Sequence, residues 1–180
     1  MDWFSSDLHF GHQAMMDKRG FDSLDAMDKT IVKNWNDRVG RKDNGYLIGD
    51  ISFARPGYTL DMLNEMNGTL YLIRGNHDKR MKDFVRQRFV STFDYFELKK
   101  KECGLVVMCH YPFFVWNRSH YGTIHLHGHS HGSLPQLGKK LDVGVDAQGM
   151  APISFEEVLE RLQNVPVFYG DYHGRGSKEG

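Results

Sequence analysis

The sequence predicts an α/β sandwich, packed sheets flanked by helices. Strands and helices alternate as far as Phe89, strands dominate from Phe93 onward, and 180 residues at 20.8 kDa suffice for one hydrophobic core but not for two. A single domain over 1–170 is expected, with a flexible polar tail at 171–180 that has little to bury.

Trp3 to Ser6 begins the chain as a short strand, followed at once by Asp7, His9, Gly11 and His12 in a turn. Leu24, Met27, Ile31 and Trp35 recur at helical spacing behind Ser23 as cap, which predicts a helix over 24–39 with Gly40 as its stop. Tyr46 to Ile48 is a buried strand running into Gly49 and Asp50. Thr59 to Asn67 is a second helix, and Leu70 to Ile73 a strand ending in Gly75, Asn76, His77 and Asp78. Met81, Phe84, Val85 and Phe89 share a helical face over 79–89, and Asp78 is placed to cap that helix. Phe93 to Leu98 and Leu105 to Cys109 read as a hairpin about a basic turn at Lys99 to Lys101. Thr123 to Leu126 and Leu141 to Val145 are further strands. Ser154 and Glu157 form a capping box for a last helix over 155–163.

Composition removes several classes of function. The 23 basic residues balance 23 acidic ones, so the broad positive field of a sequence-independent or stable DNA binder is absent. No apolar run reaches the roughly 20 residues that span a bilayer, and no secretory signal pattern is visible, so a cytoplasmic location is expected. Cys103 and Cys109 cannot define a disulfide scaffold, and a zinc finger would need more thiols. A phosphate-binding G-x-x-x-x-G-K-[ST] loop does not occur. Ten histidines remain to be explained, six of them between His110 and His131.

Five places share one grammar, an apolar strand followed immediately by metal-binding groups: Asp7-Leu8-His9, Gly49-Asp50, Gly75-Asn76-His77-Asp78, His110, and Gly128-His129-Ser130-His131. Side chains so placed can converge at one sheet edge, where open α/β sheets bind ligands. The glycines permit sharp turns that aim the next residue. Carboxylate oxygen with imidazole nitrogen suits zinc, manganese, iron or nickel better than calcium or magnesium.

In these residues the chain resembles the calcineurin-like metallophosphoesterases, whose motifs run D-x-H, G-D, G-N-H-[DE], H and G-H-x-H in this order. SSDLHFGH, IRGNHD and HLHGHSHG are similar to the small bacterial and phage members. The resemblance spans residues 7–131. It implies a four-layered α/β sandwich with two metal ions, Asp7, His9, Asp50 and His131 holding one and Asp50, Asn76, His110 and His129 the other. Asp50 would bridge them, one carboxylate oxygen to each ion. The implied reaction is phosphoester hydrolysis by a hydroxide held between the ions, with His77 and Asp50 as the catalytic pair, His77 donating a proton to the leaving oxygen and Asn76 keeping the site from becoming too negative. Protein serine/threonine phosphatases continue the second motif as G-D-x-x-D-R-G. Here Ile51, Ser52, Phe53, Ala54 and Arg55 follow Asp50, which argues against that branch.

A phosphodiester is the expected substrate, with a small phosphomonoester as the alternative and a non-catalytic scaffold of the same fold as the remote one. Trp116, Asn117, Arg118 and His120, in the aromatic-rich loop after His110, are expected with Asn76 and His77 to bind substrate, Trp116 stacking a base of a nucleotide or nucleic-acid end. Phe113 and Phe114 are expected beneath this loop. Lys79, Arg80, Lys82, Arg86 and Arg88 offer a basic edge. Arg55 is expected as an exposed loop residue, Cys109 as a buried thiol, and His125 and His127 as packing groups on the ligand-bearing strand.

Overall fold

The computed structural model describes residues 1–170; the tail expected at 171–180 lies outside them. The first sheet contains β1 (Asp2–Ser5), β2 (Asn44–Leu47), β3 (Thr69–Ile73), β4 (Ser91–Phe93) and β9 (Ile153–Ser154) in the order β4-β3-β2-β1-β9. β1 to β4 are parallel and β9 antiparallel to β1. The second sheet has the order β5 (Phe96–Lys100), β6 (Gly104–Met108), β7 (Ile124–His127) and β8 (Lys140–Asp142). Only β5 runs antiparallel there. The fold is the two-sheet α/β sandwich that the sequence predicts.

Three apolar layers hold it together. Trp3, Leu47, Leu70 and Leu72 meet Met27, Ile31, Val32 and Trp35 of α2 (Leu24–Asn36) and Met62 and Leu63 of α3 (Pro56–Glu65). Phe4, Tyr46, Ile48 and Ile73 on the other face meet Val106, Met108, Ile124 and Leu126 of the second sheet. The outer face of that sheet, Leu105 and Val107, lies under Trp116 and Phe113. A loop covers it. α5 (Phe155–Leu162), with the Ser154–Glu157 capping box in place, instead puts Phe155, Val158 and Leu162 into the core between the sheets.

Several expectations change in detail. α1 (Gln13–Arg19) is an addition to the expected elements; His12 caps it, Nδ1 accepting from the Met15 amide at 3.3 Å, and Gly20 ends it in the left-handed region. α2 stops at Asn36, and the chain runs on in turns to the buried Val39. α3 begins at Pro56, whose fixed φ suits a first helical turn. The helix expected over 79–89 is a 3-10 turn (Asp78–Arg80) and α4 (Asp83–Arg86), separated by extended backbone at Met81 and Lys82. Its supposed cap, Asp78, is drawn inward: its carboxylate accepts from the amides of Asp50 at 2.8 Å, Ile51 at 3.0 Å and Gly75 at 2.8 Å. The strand expected at Phe93 to Leu98 is divided, β4 joining the first sheet and β5 the second.

Candidate metal centre

Asp7 and His9 follow β1, Asp50 follows β2, Asn76 and His77 follow β3, His110 follows β6, and His129 and His131 follow β7. Parallel pairing puts β1, β2 and β3 tips at one end, β6 and β7 bring theirs to the same edge, and hydrogen bonds tie the tips together. His129 N–H donates to Asp7 Oδ2 at 2.9 Å, and His77 N–H to Asp50 Oδ1 at 3.0 Å.

Two donor groups result, Asp7 with His9 and His131, and Asp50 with His110 and His129. In the first, Asp7 Oδ1 lies 3.7 Å from His9 Nε2 and 3.8 Å from His131 Nε2. In the second, Asp50 Oδ2 lies 3.5 Å from His110 Nε2. The same oxygen is 4.0 Å from His9 Nε2, so it faces both groups. Asp50 Oδ1 accepts from His77 N–H, and Oδ2 is the oxygen that faces both groups. Neighbouring donors around a tetrahedral ion with ~2.1 Å bonds lie about 3.4 Å apart, and these spacings need only small closure.

Several donor atoms also lack a hydrogen-bond partner among the described residues. Asp7 Oδ1, both ring nitrogens of His9, Asn76 Oδ1 and His110 Nε2 are buried without a hydrogen bond. Such atoms are costly unless a ligand meets them. Divalent cations fit this set. Burial works against an ionised Asp50, yet His110 and the His77 amide hold its carboxyl down at about 2. Burial likewise opposes a charged His110, and Asp50 outweighs it and raises the imidazole.

Supporting contacts fix the rings. His110 Nδ1 donates to Ile48 O at 2.8 Å, which leaves Nε2 facing the site. His131 Nδ1 meets Asp146 Oδ2 at 2.7 Å, and Arg19 grips both Asp146 oxygens at 2.8 Å while donating to Asp7 O and Leu8 O. Burial disfavours a charged Asp146, but Arg19 and His131 hold it well below the ordinary carboxylate range.

Backbone conformation is the least expected feature. Of the seven non-glycine residues with positive φ among those described, five are Asp7 (55°), His9 (52°), Asp50 (55°), His129 (66°) and His131 (48°). The donors themselves adopt the left-handed region, which Asp and His tolerate better than most side chains. Gly49 shares the positive φ, at 85°, but Gly75 and Gly128 have another reason. A Cβ at Gly75 would stand 2.2 Å from Asp50 Oδ1, and one at Gly128 1.9 Å from Ser6 Oγ and 2.4 Å from Asp7 Oδ2. They are there for close approach.

His77 stands at the rim, 44% exposed, with Nε2 3.8 Å from Asp50 Oδ2. Phe53, itself 42% exposed, lies 5.3 Å from the His9 ring, 4.1 Å from His12 and 4.4 Å from His77. Tyr111 packs 4.9 Å from the His129 ring on the other flank. Phe53, Tyr111, Arg19 and Asp146 carry no spacing signal, which is why sequence reasoning missed them. His12 was seen only as a turn residue.

The substrate loop is corrected. Trp116 is buried, with Nε1 donating to Thr123 O and Oγ1 at 3.1 Å, so no ring face is open to a base. Asn117 donates to Glu97 at 2.9 Å, and Arg118 lines a cavity with Cys103, Thr123 and Lys139, outside both donor groups. His120 packs on Tyr121 at 4.2 Å. Phe113 is tucked against His125 at 5.0 Å, whereas Phe114 is 60% exposed. His125 and His127 are buried packing groups; burial lowers both, His125 to about 3. Arg55 is exposed and Cys109 buried. Of the basic edge, Arg88 is consumed by Leu63 O and Met66 O, and Arg86 by Met81 O and Asp83.

Comparison with known proteins agrees with this geometry. The chain is 28% identical over 173 residues to an uncharacterized protein of Methanocaldococcus jannaschii, covering 90% of this chain and 91% of that one. It is 26% identical over 196 residues to the gene 66 protein of Mycobacterium phage L5, covering 91% and 94%. A crystal structure of a protein of unknown function from Aquifex aeolicus superposes with a TM-score of 0.69 at 21% identity, covering 89% and 98%, and so shares the fold. The sequence profile of the calcineurin-like phosphoesterases matches residues 3–146, the stretch that supplies every donor above, and the chain belongs to that family of metal-dependent phosphoester hydrolases.

Proposed function

We propose that the chain is a binuclear phosphodiesterase holding two divalent transition-metal ions, Asp7, His9, Asp50 and His131 around one and Asp50, Asn76, His110 and His129 around the other. The observation that carries this reading is Asp50 Oδ2 facing both donor groups. Imidazole with carboxylate favours manganese, iron, zinc or nickel. When bound, such ions lower the pKa of a water and neutralise phosphate oxygens.

The chain's own residues do the rest. Asp50 stays anionic and, through Oδ1 and the His77 amide, fixes the backbone that carries His77. A water that has given one proton to solvent bonds through its oxygen to phosphorus, the bond to the leaving oxygen breaks, and His77 supplies the proton that this oxygen needs and regains one from solvent. Asn76 contributes a neutral oxygen and adds no repulsion toward an anion. Phe53 on one flank and Tyr111 on the other offer surface to two substituents of a phosphate, which supports a diester over a monoester.

The test is hydrolysis of bis(p-nitrophenyl) phosphate and p-nitrophenyl phosphate by chelated protein reloaded with manganese. A higher kcat/KM for the diester, lost on chelation and restored by metal, is expected. Faster monoester turnover would move the assignment to a phosphatase, and full activity after chelation would overturn the mechanism.

A further inference from the structure

A cleft of about 160 Å³ opens beside His77, walled by Phe53 and His77, floored by Met81 and Val85, and bordered by Arg80 and Lys82. Pockets that enclose a whole small ligand run to ~300–1,000 Å³, so this one has room for a single group of a larger molecule. Its position is specific. One side of the cleft is the His77 ring, whose Nε2 lies 3.8 Å from Asp50 Oδ2. A leaving group that meets His77 has this space beside it.

The electrostatics are equally directed. Arg80 and Lys82 are exposed. Of the two acids beside them, Asp78 is turned inward onto three backbone amides, and Asp83 points to solvent with Arg86 3.4 Å away, so the two cations outnumber the acid at the rim. The segment is anchored, because Met81 N–H donates to Asp78 O at 3.0 Å and Arg86 Nη2 to Met81 O at 2.8 Å. Phe53 is equally set. Its amide donates to Phe10 O at 2.8 Å, and Ser52 beside it is bonded to Thr59 Oγ1 at 2.7 Å.

We infer that this cleft is a leaving-group subsite that takes a second phosphate, so that the preferred substrate is a phosphodiester carrying a further phosphate on the leaving side. The inference rests on the reading of the centre as a phosphodiesterase. Cationic side chains at an exposed rim act through charge-assisted hydrogen bonds and are weakened by salt.

The experiment measures equilibrium binding by calorimetry on manganese-loaded protein, with thymidine 3′,5′-bisphosphate against thymidine 3′- and 5′-monophosphates. The bisphosphate should bind about tenfold more tightly than either, and R80Q/K82Q should bring that ratio close to one, with R80E/K82E driving it below one. Kinetics supply a second arm, in which dTpdT carrying an added phosphate on the leaving side gains about tenfold in kcat/KM, and R80E/K82E cancels the gain. Equal affinity for bisphosphate and monophosphates, or a preference that survives R80Q/K82Q, overturns the subsite. Bisphosphate preference without metal-dependent hydrolysis would keep the subsite and remove the phosphodiesterase reading; hydrolysis without that preference would do the reverse.

Discussion

Replacing Arg19 by Met should weaken the metal centre without touching a donor. Its guanidinium, 3% exposed, makes two 2.8 Å bonds to Asp146 and two more to the carbonyls of Asp7 and Leu8, thereby tying the β1 tip to the residue that orients His131. Met fills similar volume and leaves Asp146 buried against His131 alone. Breaking a buried ion pair on one side costs about 3–5 kcal/mol, against total stabilities of about 5–15. For a chain of this size that is a fall in Tm of roughly 6–20 °C. Supporting partners of metal-bound histidines are worth about 10–100-fold in affinity, so the manganese Kd should rise by that factor. Arg19→Lys keeps the charge but cannot reproduce the fork, and should fall between the two. Thermal melts with and without metal, together with manganese titration at a temperature where the variant is folded, decide the matter. Manganese affinity within twofold of wild type in Arg19→Met would refute the argument.

Three further outcomes are expected. Asp50→Ala should lose both metal, by elemental analysis, and activity, whereas His77→Ala should retain metal and lose about 10²–10⁴ in kcat, most with poor leaving groups. Gly128→Ala drives a methyl into Ser6 and Asp7, and should lower stability by about 1–3 kcal/mol and metal content with it, read from melts and metal analysis. Trp116→Ala should destabilise by about 3–5 kcal/mol in denaturant titration and lower turnover of nucleotide and aliphatic esters alike, since its ring supports the loop over the second sheet.

The donor set was legible because each element of it follows a buried strand, and strand ends can be located from apolar runs alone. Asp7, Asp50 and His110 could be placed at one edge without knowing the pairing. What periodicity does not encode is which sheet a strand joins. Phe93 and Phe96 read as one strand, yet two intervening residues carry the chain from one sheet to the other. Nor does it encode where a carboxylate turns. Asp78 has the sequence position of a helix cap, but the amides of Asp50 and Ile51 across the site, with that of Gly75 in its own loop, compete for it and win, and the helix behind it breaks into two turns. Trp116 was misjudged for a related reason. Its loop spans the outer face of a sheet that none of the described helices covers, so Leu105 and Val107 recruit a large apolar ring.

The left-handed donors have a consequence for the lifetime of the protein in a cell. Strained backbone positions cost on the order of 1–3 kcal/mol each, and they persist where the surroundings overdetermine them. At Asp7, His9, Asp50, His129 and His131 the surroundings include the bound cations of the proposed centre. The three strand ends that carry these residues, after β1, β2 and β7, should then open first when free metal falls, ahead of the sheets behind them. An ion held by the folded chain alone adds about 2.7 kcal/mol at a concentration one hundred times its Kd and almost nothing well below it. Metal supply would therefore set how long the chain survives proteolysis as well as how fast it works.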